Sequence, residues 1–181
     1  MNFSKTLHFT TAILAILALA LYALFRLCPT PALEALTITA GTFFYHFAMR
    51  LLVGAIVPGL IPAGAEKSWW FREKGFEPGL YKALRVKAWK KRMPTYAPEH
   101  FDLRRHTPAE IVHTCCASEA VHEVIMVLSF MPVLAVPAFG AAGVFWGTSV
   151  MAALFDGCFV ILQRYNRPRL LRILEKERAR R

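Results

Sequence analysis

Four long apolar runs set the pattern of this chain; one long polar stretch separates them into pairs, and a basic tail follows the last. Residues 7–27 form the first run, with TAILAILALALYALF at its centre. As a helix it is long enough to cross a hydrocarbon core of ~30 Å. A signal peptide is the rival reading. Its apolar region would be too long, and no clean A-x-A site follows that region before Cys28-Pro29-Thr30-Pro31, so a retained span is expected. Residues 33–58 form the second run, which carries Tyr45, His46 and Arg50 and ends at Pro58, Gly59, Pro62 and Gly64. Residues 118–138 form the third, with Glu119, His122 and Glu123 expected in its first turn or so. A tight turn over Pro137–Gly143 leads into the fourth, residues 142–163, interrupted only by Asp156.

Residues 66–112 read differently, as polar, basic and aromatic. Leu80, Tyr81, Leu84 and Ala88 recur at helical spacing, with Lys82, Arg85, Lys87, Lys90 and Lys91 mostly elsewhere on the wheel. That spacing predicts a basic amphipathic helix lying in the membrane interface. Trp69, Trp70, Phe71 and Trp89 suit the headgroup level, where amphipathic rings collect. The tail, 164–181, is expected to continue as a helix. The expectation is an all-α integral membrane protein, one membrane domain over 1–181, with four transmembrane helices and a cytosolic interfacial helix between the second and third.

Composition agrees: 181 residues are 56% hydrophobic, with a mean hydropathy of +0.39. A net charge of +10 would by itself suggest nucleic acid. The cations are blocked, however: eleven Lys/Arg fall in 66–112 and eight in 164–181, while the connectors at 28–32 and 137–143 hold none. Blocks of this kind match anionic headgroups and set topology. They predict a multi-pass protein of the cell (inner) membrane with both termini and the middle segment cytoplasmic, and no nucleic-acid partner. Cys28, Cys115, Cys116 and Cys158 show no disulfide or zinc spacing and read as free thiols. With no internal repeat and no broken-helix pair, a small transporter is the weaker reading.

Ionisable groups at membrane depth are costly and normally face the bundle interior. Arg50 and Asp156 fall at matching depths, about 10–12 Å inside the cytosolic boundary at 1.5 Å per residue, so an ion pair between them is expected. It serves either as bundle glue or as part of a substrate pocket, with His46 deeper in the membrane. Glu119 and His122, spaced i, i+3, share a helix face. Glu119 could orient the imidazole or answer the helix dipole, and His122 could be a base or a packing residue. A di-iron site would need a second Glu-x-x-His pair on a matching face; His106 and His113 lie in the approach to the third run and not on such a face, so no metal is expected.

After the fourth run comes Gln163-Arg164-Tyr165-Asn166-Arg167-Pro168-Arg169. Arginine forks hold phosphates and carboxylates bidentately, so this string suits an anion, though a basic tail can also serve topology alone. Taken in order, Glu73-Lys74-Gly75, Arg85-Val86-Lys87-Ala88-Trp89-Lys90 with Met93-Pro94, Phe101 with Arg104-Arg105, Glu119-x-x-His122 with Pro132, and the terminal QRYNRPR resemble the glycosyl-4,4'-diaponeurosporenoate acyltransferase family. The similarity runs from about residue 70 to the end. One departure stands out: Thr114-Cys115-Cys116-Ala117 replaces a charged Glu-Thr-x-Arg stretch before the Glu-x-x-His pair.

The resemblance implies transfer of a fatty acyl group to a sugar hydroxyl of a glycosylated carotenoid or similar glycolipid. It implies no bound cofactor, with acyl-CoA or acyl-carrier protein as co-substrate. His122 would be the base and Glu119 its partner. Arg164, Arg167 or Arg169 would hold the oxyanion or a diphosphate, and Lys87, Lys90 and Lys91 further phosphate. Gln163, Tyr165, Asn166, Arg85 and Trp89 would line the substrate site. Partners are the bilayer, the lipid-like acceptor and the acyl donor; a homo-oligomer is compatible. The alternative is a non-enzymatic membrane protein that binds anionic lipid or docks a partner enzyme.

Overall fold

The computed structural model describes residues 3–94 and 98–179, and among these every regular element is helical. The α-helices are α1 (Phe3–Leu27), α2 (Pro31–Ile56), α3 (Glu77–Ala83), α4 (Val86–Trp89), α5 (Pro108–Leu128), α6 (Val136–Phe139) and α7 (Ala142–Arg178). Short 3-10 turns fill Val57–Leu60, Ala65–Lys67, Lys90–Arg92, Pro98–Phe101 and Met131–Ala135. Four stretches are long and apolar enough to cross a membrane: Phe3–Leu27, Pro31–Leu60, Pro108–Phe139 and Ala142–Lys176. No residue of α1 is buried, and Phe9, Ile16, Leu19 and Leu27 stand exposed. Such a surface is costly in water and at home among acyl chains.

Two helix starts share one device. Thr30 Oγ1 accepts from Leu33 N at 3.3 Å, ahead of Pro31. At α5, Thr107 Oγ1 accepts from Glu110 N (3.3 Å) while Glu110 Oε2 accepts from Thr107 N (2.8 Å). This is a reciprocal capping box, with Pro108 at the first helical position, where its missing N–H costs nothing. It starts the third span ten residues before the expected 118. Glu119 and His122 therefore sit well inside α5 and not in its first turn.

The chain divides into two compact units. The first comprises Met1–Gly54 and Val124–Asp156. Within it Tyr45 Oη donates to the Leu128 carbonyl at 2.8 Å, and Phe130 meets Trp146 edge-on at 6.2 Å. The expected Arg50–Asp156 ion pair is present, and Arg50 Nη1 also donates to the His46 carbonyl at 2.7 Å. His46 is buried, and neither ring nitrogen has a hydrogen-bond partner among the described residues.

The second unit comprises Ala55–Glu123 and Gly157–Arg181. Gly64, at φ 81°, opens the Ala65–Lys67 turn in a conformation that a Cβ would disfavour. That turn delivers Ala65 to a small core with Phe71 and Cys116, against which Ile61 and Ala120 pack. His113 Nε2 lies 3.2 Å from the Ile61 carbonyl and ties the turn region to α5. The single amphipathic helix expected across Leu80–Ala88 is instead two short ones, broken at Arg85. Arg85 adopts a left-handed backbone at φ 50° and so ends the α3 path. The break lets Tyr81 and Val86 both turn inward, Val86 completely. A continuous helix would carry these two residues, five apart, to opposite faces.

Candidate active site

The second unit is organised around Glu119, which is fully buried on α5. Arg164 Nη1 donates to its Oε1 at 2.5 Å, and Arg167 Nη1 donates to its Oε2. Positions 164 and 167, spaced i, i+3 on α7, put both guanidiniums on one helix face. Arg164 goes further. Its Nε and Nη2 reach Glu77 Oε1 at 2.8 and 2.6 Å, and weaker contacts of 3.3 Å run to the carbonyls of Trp70 and Arg72. These contacts use all five guanidinium N–H groups. Arg167 Nη2 donates to the Phe71 carbonyl, and its guanidinium lies 5.4 Å from the Phe71 ring centre. Two arginines thus balance two carboxylates and tie three chain segments together, 70–77, α5 and α7.

Glu77 was not singled out in the sequence. It is 3% exposed, and Tyr81 Oη donates to its Oε2 at 2.7 Å. The Tyr81 phenol is pushed up from its ordinary value, first by burial and then by this bond to a carboxylate. The signal was present as Glu77-Pro78, a carboxylate in the first turn of α3 beside a proline suited to helix starts. Nearby, Trp70 Nε1 donates to Glu123 Oε2 at 2.8 Å.

His122 lies one turn after Glu119 and is half-buried. Its ring stacks on Phe159 of α7, with centroids 4.4 Å apart and planes 8° from parallel. The stack fixes the plane of the imidazole. Each Glu119 oxygen receives an arginine N–H, which gives that carboxylate to the arginines first.

The remaining residues of the terminal string face another way. Tyr165, Arg169 and Arg172 recur along one side of α7. Arg169 Nη2 donates to Tyr165 Oη at 2.6 Å and its guanidinium stands 4.1 Å from that ring's centre. Lys90 Nζ lies 4.9 Å from the same ring and 3.3 Å from Asn166 Oδ1. The Tyr81 ring meets Tyr165 edge-on at 5.3 Å. Burial and the neighbouring Arg169, Lys91 and Lys87 hold the Lys90 ammonium below its ordinary pKa. Trp89 Nε1 closes on the Leu84 carbonyl at 2.9 Å, an internal brace for the α3–α4 corner. Gln163 is buried, and its Oε1 has no partner among the described residues. Arg85 and Lys87 line an open cleft with Arg169. His46, Arg50 and Asp156 belong to the first unit.

No group of three or more His, Cys, Asp or Glu suited to a metal occurs among the described residues. A protein-family model, glycosyl-4,4'-diaponeurosporenoate acyltransferase (CrtO), matches residues 67–176. No curated protein and no solved structure matches the chain.

Proposed function

We propose that this chain, which belongs to the glycosyl-4,4'-diaponeurosporenoate acyltransferase family, moves a fatty acyl group from a thioester donor to a sugar hydroxyl of a glycosylated carotenoid or similar glycolipid. The observation that carries this reading is the His122 imidazole, held flat against Phe159 one turn from the buried Glu119–Arg164–Arg167 cluster. His122 takes the proton of the sugar hydroxyl as its oxygen bonds to the thioester carbonyl carbon. Collapse of the tetrahedral adduct breaks the C–S bond, and the thiolate leaves with a proton returned from the imidazolium. Glu119, Arg164, Arg167 and Glu77 hold the two helices at the spacing this requires. They act as positioning residues, because their charges and donors are spent on one another.

The long apolar helices keep the acyl chain and carotenoid in lipid, while the polar reacting ends lie in the headgroup layer. The cation blocks support placement in the cell (inner) membrane with both termini cytoplasmic. The test is mass spectrometry of membranes carrying wild type or His122→Gln, supplied with acyl-CoA or acyl-carrier protein and a glycosylated carotenoid. The expected result is a new acyl ester with wild type and a loss of about 10²–10⁴-fold in its rate with the variant. No ester from wild type, or equal ester from both, would overturn the reading.

A further inference from the structure

An open cleft of about 480 Å³ lies between the α3–α4 corner and the later part of α7, wholly inside the second unit. Lys82, Arg85, Lys87, Arg169 and Arg172 line it, with Glu73 the sole carboxylate among its lining residues. All five cations are exposed. Among the described residues, Lys82, Arg85, Lys87 and Arg172 show no protein acceptor for their side chains.

The cations of α7 fall into two sets. Arg164 is saturated by carboxylates and carbonyls of the protein, and Arg167 is buried against Glu119 and the Phe71 carbonyl. Arg169 and Arg172, also spaced i, i+3, meet the cleft, where like charges crowd and the Lys90 ammonium beside them is destabilised. Such a concentration of unspent donors fits a ligand carrying several negative charges. The backbone adds a second, independent observation. Arg85 is the one non-glycine residue with positive φ among the described residues, a conformation that its Cβ resists, and it stands on the cleft wall. That left-handed corner between α3 and α4 sets Arg85 among the cations that line the cleft.

We infer that this cleft binds the phosphates of the acyl donor, and that the donor is therefore a small thioester carrier of the coenzyme A class, with a diphosphate linkage and a further phosphate. This rests on the acyltransferase reading and names the donor for it. The volume admits a nucleotide-sized group. Each arginine fork can take two oxygens of one phosphate, while the lysines serve as point charges.

The test uses the full chain in nanodiscs of zwitterionic lipid, with desulfo-coenzyme A as an unreactive probe and calorimetry as the readout. Arg85→Gly removes the charge while giving the left-handed position to the residue that tolerates it, so folding is preserved and thermal stability does not fall. Arg172→Gln removes a second cleft cation, and Arg105→Gln, at an exposed site outside the cleft, is the control. The Arg85→Gly/Arg172→Gln double variant should weaken probe binding at least about tenfold with an intact melting transition, while Arg105→Gln binds as wild type. Pyrophosphate should compete.

Undiminished binding by the double variant overturns the assignment. So does binding of anionic-lipid nanodiscs, or of acyl-carrier protein, in place of the probe. Acyl transfer with an unaltered donor KM in the double variant would sink the cleft and spare the enzyme reading. Probe binding lost on substitution, with no ester ever formed by wild type, would do the reverse.

Discussion

Arg167 of α7 and Glu119 of α5 form an ion pair that is almost completely sealed, at 1% and 0% exposure. Desolvating two charges is repaid only when geometry and further hydrogen bonds are good, and removal of one partner leaves an unbalanced buried charge. Glu119→Ala would leave Arg167 without a carboxylate partner and Arg164 with Glu77 alone. The expected cost is about 3–5 kcal/mol, a large share of a typical stability. Thermal unfolding in detergent and yield in the membrane fraction would measure it. Glu119→Gln should fall between, since an amide offers one acceptor oxygen and turns N–H groups toward an arginine. Wild-type melting of Glu119→Ala would refute the role of this pair in holding α5 to α7.

The Arg50–Asp156 pair makes a parallel claim in the first unit, where lipid surrounds the helices. Arg50→Met and Asp156→Leu should each destabilise strongly, because each leaves its partner's charge at membrane depth. The double replacement should recover much of that loss, since two apolar side chains suit the surroundings better than one orphan charge. A double-mutant cycle on melting temperatures gives the coupling directly. Strictly additive losses would mean that the two residues do not stabilise one another.

The spans were legible in the sequence because each needs only a long apolar run, a property of composition and length. The Arg50–Asp156 pair was legible because both charges sit at equal depth in otherwise apolar runs. What the pattern missed followed from local chemistry. Thr107-Pro108-Ala109-Glu110 reads as a capping box, yet the polar Glu110, His113 and Thr114 blur the apolar onset and hid the true start of α5. Periodicity joined Leu80 to Ala88, and nothing in it marks Arg85 as left-handed, a conformation decided by the tertiary positions of Tyr81 and Val86. The family resemblance pointed to QRYNRPR but not to its division of labour. That division became visible only when Glu77, a residue outside every motif, proved to be the partner that spends Arg164.

The capping box itself is open to a direct check. Thr107→Ala deletes the hydroxyl that accepts from Glu110 N and frees the Glu110 side chain from its reciprocal role. Loss of a cap costs about 0.5–2 kcal/mol. Most of the apolar part of α5 lies beyond the first turn, so the expected outcome is a modest drop in melting temperature with helical content preserved. Thr107→Ser should restore the cap. An equal drop in Thr107→Ser would assign the effect to the lost methyl group and not to the cap.

Tyr81 gives a prediction with a sign. Its phenol has an ordinary value of 10.0 and is raised in the folded chain by burial, then by its hydrogen bond to Glu77. A group whose folded pKa is raised contributes stability that is fully present below its unfolded pKa and lost as pH climbs through the folded value. Between about pH 9 and about pH 11 the unfolded chain loses the Tyr81 proton first, so stability falls across that window. Tyr81→Phe removes the titrating group and also one buried donor to Glu77. It should cost about 0.5–1.5 kcal/mol at neutral pH and then decline less steeply on the alkaline limb, so that the two melting curves approach each other as pH rises. Parallel curves over the whole range would show that the Tyr81 phenol is not raised in the folded chain.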